Sequence, residues 1–423
     1  MGAALRNIFD QYRHPENRLT HAFFSALDHD RTLLNDFLRV FVKSGHGQKA
    51  HGLSLSVQTI PGRPEAPEED ESDRRGIPDA WIHNGDDWCI VFESKINAPL
   101  SPDQIRRHIR IAAQLGFTRR TAVAITAHSA PVKVSDGVIS TTWSQLYRWL
   151  RKHSDNFWAR QAAGYFEALE ARMIGEENFT SGTLTSFAGF PFAKAADYSY
   201  LEGRRVIKLA TEALRRDKRL EEQLGVDPSI PGRSAITGTD EDFVWDYLSL
   251  RTSKASASHT NHPHLTLGVG QIIDVMITIP NAINTPFRRA LIGLGKEGFR
   301  NLVHEFLSNM EAEVLSVEHF AAPTMRAIQR RYPSQRAVPF VDSLLEFDLR
   351  TAFDGGDPVK LQPEWLESAF AAFTHKNSNL QIQLGAKFEI KKCPSMLEES
   401  ALDLIAKTWL AGKSLIDHEL AGA

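Results

Sequence analysis

Three charged residues flank an apolar stretch in the segment IPDAWIHNGDDWCIVFESK, residues 77–95. Asp79 follows Pro78, and Glu93 and Lys95 stand at the end of the apolar run. Hydrolysis of a phosphodiester at neutral pH needs a metal ion that polarises the phosphoryl oxygen and a group that holds the attacking water in line. Mg²⁺ prefers a few hard oxygen ligands and keeps several waters. Two carboxylates and a lysine therefore match the residue types that this chemistry requires.

The strands predicted around these residues would place the three charged side chains close together. The pattern predicts a β-hairpin with strands at 79–82 and 88–94, joined by a turn that contains Asn-Gly. Glu93 and Lys95 lie two residues apart on one strand, so their side chains project from the same face. The strand is apolar on both faces until Glu93, which is typical of a central strand. We expect Asp79, Glu93 and Lys95 to meet at one end of a sheet.

Helices and strands alternate along the first part of the chain. Apolar spacing predicts the order α-β-β-β-α-β-β-α, and a further helix closes this part. The predicted helices span 16–42, 101–115, 144–153 and 156–174, and the strands outside the hairpin span 53–60, 121–127 and 137–143. A Pro- and acid-rich loop at 61–76 separates the first strand from the hairpin.

The pattern Pro78-Asp79, followed by Glu93-Ser94-Lys95 at the end of an apolar strand, resembles the PD-(D/E)XK nuclease superfamily. The resemblance covers about the first 150 to 175 residues, and it implies a restriction-endonuclease-like α-β-β-β-α-β core. It also implies that Asp79 and Glu93 bind Mg²⁺ (or Mn²⁺), that the carbonyl of Ser94 completes the protein ligands, and that Lys95 orients or activates water.

Two further residues match positions that many or some members of the superfamily use. Glu16 matches a helical glutamate that joins the metal shell. Gln104 matches a glutamine that some members follow, four residues later, with a tyrosine, but His108 stands there in this chain. Each residue has a structural alternative, because Glu16 would favour the dipole of its helix and Gln104 could form a capping box with Ser101.

The central pattern has structural alternatives too. Asp79 could simply begin a strand, and Glu93 and Lys95 could face solvent. The short pattern also recurs by chance, so the fold could differ from the one that the resemblance implies.

Arginines near the pattern are candidates for nucleic-acid contacts. They precede it in the loop or lie on the following helix, where phosphate contacts would be useful: Arg74, Arg75, Arg106, Arg107 and Arg110. The alternative is a solvated arginine face. The acidic run 68–71 has the opposite sign and would repel DNA at close range.

The composition bounds the class of protein. The 423 residues carry a net charge of -3, with 42% hydrophobic and 24% charged residues, which argues against disorder and against a histone-like coating protein. Two cysteines are too few for a disulfide framework in a chain of this length. No secretory signal or membrane-spanning run is present, so we expect a cytoplasmic protein without a membrane partner.

The remainder of the chain predicts a second domain. We expect a nuclease-like domain at 1–175, an ordered connector and helix at 176–225, and an α/β or α+β domain of unknown role at 226–423. In this second half we predict helices at 201–224, 286–312, 362–375 and 395–410, and strand-like runs at 243–250, 265–279, 338–353 and 380–392.

Three other patterns carry less weight. The run GLGKEG at 293–298 fits G-x-G-x-x-G but lies inside a predicted helix, so we do not expect a dinucleotide site. A second E-x-K, Glu389 and Lys391, is expected to be an exposed strand end. The histidines of HTNHPH lack nearby Cys or acidic partners, which favours a polar loop.

The sequence therefore predicts a metal-dependent nuclease that cuts DNA, and the resemblance suggests work in restriction or antiviral defence. The alternative is a non-catalytic nucleic-acid-binding or regulatory protein on a nuclease scaffold. A homodimer is compatible with either prediction.

Overall fold

A computed structural model describes residues 9, 11–43, 50–62, 76–96, 98–127, 137–176, 184–192, 198–233, 242–251, 262–280, 286–331, 333, 340–353 and 360–421. The chain divides into two compact units, one formed by Met1–Met173 with Thr183–Ser186 and the other by Ile174–Gly182 with Phe187–Ala423. No helix in the described ranges is both long enough and apolar enough to cross a membrane.

The first unit contains five α-helices and five strands among its described residues. The helices are α1 (Pro15–His29), α2 (Arg31–Phe37), α3 (Pro102–Gln114), α4 (Trp143–Lys152) and α5 (Phe157–Glu176), which runs slightly past the unit's boundary. The strands are β1 (Ser54–Val57), β2 (Ala80–His83), β3 (Trp88–Lys95), β4 (Arg119–Thr126) and β5 (Val138–Thr142). The predicted order of helices and strands is confirmed.

The five strands form one mixed sheet in the order β1-β2-β3-β4-β5. The hairpin strands β2 and β3 are antiparallel, and β4 and β5 run parallel to β3. Strand β3 is therefore the central strand, as its apolar sequence predicts, and every residue from Trp88 to Ser94 is buried.

Alternating side chains of β3 pack against helices on opposite faces of the sheet. Cys89 and Val91 pack with Ile105 and Ala112 of α3 on one face of the sheet. Phe92 points to the other face, where its ring lies 4.7 Å from that of Phe24 in α1, measured between centroids. Because β3 alternates in this way, Glu93 and Lys95 belong to the face that α3 covers.

The first predicted helix is interrupted in the structure. Asp30 ends α1 and caps α2, because its carboxylate accepts hydrogen bonds from the backbone N–H groups of Thr32 and Leu33. A π-helical turn, Leu38–Val42, follows α2. A single continuous helix over 16–42 was therefore a wrong prediction, although every part of it is helical apart from the cap.

The second unit contains a six-stranded antiparallel sheet among its described residues, in the order β10-β9-β11-β8-β7-β6. Its strands are β6 (Val244–Ser249), β7 (His264–Val269), β8 (Ile272–Ile279), β9 (Ala322–Arg331), β10 (Phe340–Asp348) and β11 (Gln381–Glu389). Its helices are α6 (Tyr200–Arg215), α7 (Lys218–Leu224), α8 (Pro286–Met310), α9 (Glu364–Thr374), α10 (Ala401–Ala411) and α11 (Lys413–Ala421).

The sequence missed some details of this unit. Strand β9 was not predicted, because Pro323 and its charged residues obscure the apolar pattern. The predicted helix at 201–224 is two helices, since Asp217 caps α7. The pattern at 293–298 does lie within α8, which breaks at Gly295 where φ is 67°. The general class, a mixture of helices with two β-sheets, is confirmed.

Truncating the central strand should destabilise the first unit. We expect Phe92→Ala to lower the free energy of unfolding by about 3–5 kcal/mol, because it removes a buried ring between β3 and α1. Urea unfolding measures the change. Phe157→Ala is the matched control, since that ring is 55% exposed and its loss should cost no more than about 0.5 kcal/mol. Equal losses in both variants would contradict the assigned core.

Candidate active site

Asp79 lies beside the end of β3 because of the register of the hairpin. Ala80 pairs with Phe92, so the chain brings Asp79 level with Glu93. The Asp79 carboxylate is buried, and its Oδ2 accepts hydrogen bonds from the backbone N–H (2.7 Å) and the hydroxyl (2.9 Å) of Ser94. These contacts fix the aspartate against the Glu-Ser-Lys segment.

Glu93 holds a buried carboxylate between two partners. Its Oε2 lies 2.7 Å from Nε2 of His108 on α3, and both side chains are only 1% exposed. Its Oε1 lies 2.6 Å from the ammonium nitrogen of Lys95. The other ring nitrogen of His108 has no hydrogen-bond partner among the described residues, which favours the tautomer that donates from Nε2 to Glu93.

Glu16 reaches the same place from the first turn of α1. Its Oε1 lies 3.1 Å from the ammonium nitrogen of Lys95, and its Oε2 accepts a hydrogen bond of 2.9 Å from the backbone N–H of Ile96. The Lys95 ammonium thus lies within ion-pair distance of both Glu16 and Glu93. The site joins carboxylates from α1, from the start of β2 and from the end of β3.

Neutral side chains connect the carboxylates to the surrounding elements. The hydroxyl of Thr20 in α1 lies 2.8 Å from that of Ser94. The Gln58 amide donates to Oδ1 of Asp79 (2.9 Å) and to Oδ1 of Asn17 (2.9 Å). Gln58 has a φ of 53°, in the left-handed region that non-glycine residues seldom adopt. The backbone next to β1 is thus held in an uncommon conformation where it contacts the site.

Burial and mutual repulsion raise the pKa of two carboxyl groups in the site. Burial, with the nearby charge of Glu93, raises the pKa of Asp79 to about 8, although its hydrogen bonds from Ser94 favour the ionised form. Burial also raises the pKa of Glu16 above its usual range, against the opposing effect of Lys95. Burial would lower the pKa of Lys95, but the charges of Glu93, Asp79 and Glu16 outweigh it and raise that pKa. The lysine therefore stays charged.

Gln104 lies in the first turn of α3, and no hydrogen bond joins it to the charged group in the part of the chain that the structure describes. Gln104 is half-buried on α3 and makes no hydrogen bond to Asp79, Glu93 or Lys95 among the described contacts. Its predicted capping box is absent, because Ser101 accepts no side-chain hydrogen bond at the start of α3. His108, one turn further along, is the residue of α3 that reaches Glu93.

The arginines of α3 line an open groove next to this helix. The groove is bordered by Ser101, Asp103, Gln104, Arg106, Arg107 and Arg110. Arg107 packs against Gly76, so closely that a Cβ at that glycine would lie 2.6 Å from its Nε. Arg107 therefore lies beside the chain that leads into Asp79. Arg74 and Arg75 lie outside the described residues, as does the acidic run 68–71.

The donor set determines which metal the site could hold. Asp79, Glu93 and Glu16 carry hard carboxylate oxygens, the donor type that suits Mg²⁺ or Mn²⁺. No group of three or more His, Cys, Asp or Glu side chains in the described residues is arranged to hold a metal ion. Asp79, Glu93 and Glu16 are therefore not arranged as a ligand set of three, whereas the set that the resemblance implies, Asp79 and Glu93 with the carbonyl of Ser94, contains only two such side chains. The residue types fit Mg²⁺. In this structure the ammonium of Lys95 is paired with the carboxylates of Glu16 and Glu93.

Three residues of the site were not assigned a part in it from the sequence. His108 was noted only as a replacement for a tyrosine, and Gln58 and Thr20 carried no signal. The helical spacing of α3 was the one available signal, because His108 falls on the same buried face as Ile105 and Ala112. Thr20 and Gln58 join the site through contacts between distant segments, which no local pattern specifies.

Comparisons of the chain with protein-family models, with curated proteins and with solved structures found no match in any of the three. The chemistry of the site therefore has to be inferred from its own residues.

The raised pKa of Asp79 should make the metal-free protein less stable as the pH rises. An unfolded aspartate has a pKa of about 3.9, so between about pH 4 and pH 8 the folded state binds a proton that the unfolded state lacks. We expect the free energy of unfolding to fall by up to about 1.4 kcal/mol per pH unit relative to Asp79→Asn.

Urea unfolding at several pH values in a metal chelator measures this dependence. The comparison isolates Asp79, because the other titrating groups are shared by both proteins. Parallel pH profiles for the two proteins would contradict a raised pKa at Asp79.

Proposed function

We propose that the first unit is a Mg²⁺-dependent nuclease that hydrolyses phosphodiester bonds of DNA, with Asp79, Glu93 and Lys95 as its catalytic residues. The observation that carries the proposal is the convergence of Glu16, Asp79, Glu93 and Lys95 at the end of the central strand. Such a cluster of largely buried, ionisable side chains is costly for folding, and clusters with perturbed pKa values are typical of functional sites.

Each charged residue has a definite role in this proposal. Asp79 and Glu93 supply carboxylate oxygens on the two hairpin strands, and Lys95 orients or activates the attacking water. Glu16 holds the ammonium of Lys95, since the two groups are 3.1 Å apart. When bound, Mg²⁺ would polarise the phosphoryl oxygen and lower the pKa of the attacking water.

The groove along α3 supports nucleic acid as the substrate. Arg106, Arg107 and Arg110 border it, and Arg107 lies beside the segment that leads into Asp79. Guanidinium groups bind phosphate oxygens with paired hydrogen bonds. Contacts of this kind position a nucleic acid without reading its sequence. The proposal extends to restriction or antiviral defence by the family resemblance alone.

The order of elements agrees with the proposed scaffold. A helical layer, three strands, a helix and a strand follow one another from α1 to β4, and the sheet places β3 at its centre. A restriction-endonuclease-like core has this order, so the topology supports the proposal together with the side chains. The second unit would select the substrate, sense a signal or mediate dimerisation.

Removing a catalytic side chain should slow cleavage strongly. We expect Asp79→Ala and Lys95→Ala to lower the rate of plasmid cleavage at least ~10²-fold in Mg²⁺ or Mn²⁺, because each removes a group that acts on the reacting atoms. Gel electrophoresis of plasmid DNA and of RNA measures the rates and identifies the substrate.

Asp86→Ala is the matched control for this experiment, since Asp86 is an exposed turn residue of the same hairpin. It should cleave at the native rate. Equal residual cleavage in native protein, Asp79→Ala and Lys95→Ala would defeat the proposal and favour a non-catalytic protein that binds nucleic acid.

His108 should position Glu93 and thereby set the affinity for the metal. We expect His108→Phe to weaken Mn²⁺ binding about 10–100-fold, because residues that orient a metal ligand typically contribute that much. His108→Gln can still donate a hydrogen bond and should bind Mn²⁺ more tightly than His108→Phe. Isothermal titration calorimetry measures the affinities without relying on cleavage.

His83→Phe serves as the control for this series. His83 is a half-buried histidine of β2 whose ring packs 5.8 Å from that of Phe117, between centroids. Its replacement should leave Mn²⁺ affinity unchanged. If His108→Phe folds and binds Mn²⁺ as tightly as the native protein, His108 has no positioning role.

A further inference from the structure

Gln58, the residue that follows β1, combines an uncommon backbone conformation with two contacts to Asp79. Its φ is 53°, in the left-handed region that residues other than glycine seldom adopt. Lys43 is the other non-glycine residue with a positive φ in the described ranges, and it ends a helical turn, where this conformation is common. Gln58 follows a strand instead, so a helix end does not explain its conformation.

The contacts of Gln58 supply a reason for the conformation. Its backbone N–H donates to the carbonyl oxygen of Asp79 at 2.9 Å, and its side-chain Nε2 donates to Oδ1 of the same aspartate at 2.9 Å. Nε2 also donates to Oδ1 of Asn17, in the first turn of α1, at 2.9 Å. Gln58 is buried, with an exposure of 3%. Uncommon conformations that the surrounding structure enforces are concentrated at active sites.

The donors to the Asp79 carboxylate use its two oxygens unequally. Each carboxylate oxygen can accept about two hydrogen bonds. Oδ2 accepts from the backbone N–H and from the hydroxyl of Ser94, so its capacity is used. Oδ1 accepts from Gln58 alone among the described residues. One lone pair of Oδ1 is therefore the remaining position at which Asp79 can bind a cation.

Hydrogen bonds at both oxygens also fix the plane of this carboxylate. Rotation about the bond from Cβ to Cγ would break the bonds from Ser94 and from Gln58 together. The main chain of Asp79 is held as well, because its N–H donates to the carbonyl of Phe92 at 3.0 Å and its carbonyl accepts from Gln58. The direction of the remaining lone pair of Oδ1 thus depends on Gln58.

We infer that Gln58 is a positioning residue of the proposed active site, which orients Oδ1 of Asp79 for coordination of Mg²⁺. The inference rests on the proposed function, because it assigns Asp79 the same role as a metal ligand. A residue that orients a metal ligand raises the affinity for the metal without touching the reacting atoms. Gln58 therefore sets metal affinity, and Asp79, Glu93 and Lys95 remain the catalytic residues.

Two substitutions remove the amide of Gln58 in different ways. Gln58→Met keeps roughly the same side-chain length but has no donor. Gln58→Gly also relaxes the backbone, because glycine adopts a positive φ without steric cost. Ser56→Ala is the matched control, since Ser56 lies in β1 and its hydroxyl has no hydrogen-bond partner among the described residues.

Titration of the full chain with Mn²⁺, followed by the electron paramagnetic resonance signal of the free ion, measures the affinity. We expect Gln58→Met and Gln58→Gly to bind Mn²⁺ about 10–100-fold more weakly than the native protein and Ser56→Ala. Urea unfolding in a metal chelator tests that each variant is folded. Native Mn²⁺ affinity in either folded variant of Gln58 would overturn the inference.

Plasmid cleavage at increasing Mn²⁺ concentration separates positioning from catalysis. Gln58→Met should approach the native rate at saturating Mn²⁺, because Asp79 keeps its carboxylate. Asp79→Ala should stay slow at every concentration, since it lacks the ligand itself. A defect of Gln58→Met that persists at saturating Mn²⁺ would contradict a positioning role.

Failure of this inference and failure of the proposed function give different results. If the native protein binds Mn²⁺ but cleaves neither DNA nor RNA, the nuclease function is wrong, and the Mn²⁺ affinities still decide the role of Gln58. If the native protein binds no Mn²⁺, both are wrong. Loss of Mn²⁺ binding in Asp79→Ala but not in the variants of Gln58 would overturn the inference alone.

Discussion

The buried carboxylate of Glu93 is the constraint on which the first unit's site depends. A charge removed from water is costly unless partners replace the lost solvation. Lys95 and His108 provide those partners at 2.6 and 2.7 Å, one on each oxygen. Lys95 in turn needs Glu16, so helix α1, strand β3 and helix α3 are joined through one chain of polar contacts.

The mixed sheet makes this arrangement possible. Strand β3 has neighbouring strands on both sides and helices on both faces. Its side chains are therefore buried along the strand as far as Ser94. The antiparallel hairpin returns the chain so that Asp79 lies at the same end as Glu93. Carboxylates that repel one another are thereby held close, and the pKa of Asp79 rises to about 8. This energetic conflict is typical of sites that perform chemistry.

The second unit also buries charged side chains, but it pairs them in a different way. Lys208 and Asp246 are fully buried, and hydrogen bonds from two backbone N–H groups and a threonine complete the shell of Asp246. Arg215 is also buried in this unit, and its Nε and Nη2 have no hydrogen-bond partner among the described residues. The two units thus bury ionic groups differently: the first gathers carboxylates around the ammonium of Lys95, and the second buries a single lysine-aspartate pair.

The sequence by itself determined the local features: the hairpin, the apolar central strand and the helix that follows Ser101, because each depends on spacing within a few residues. The hairpin pattern also predicts that Asp79, Glu93 and Lys95 lie at one end of a pair of strands. Only the tertiary structure decided that His108, rather than Gln104, contacts Glu93, and that Glu16 reaches Lys95. Those contacts join residues 15 and 79 positions apart, so they depend on how layers pack, which periodicity alone does not specify.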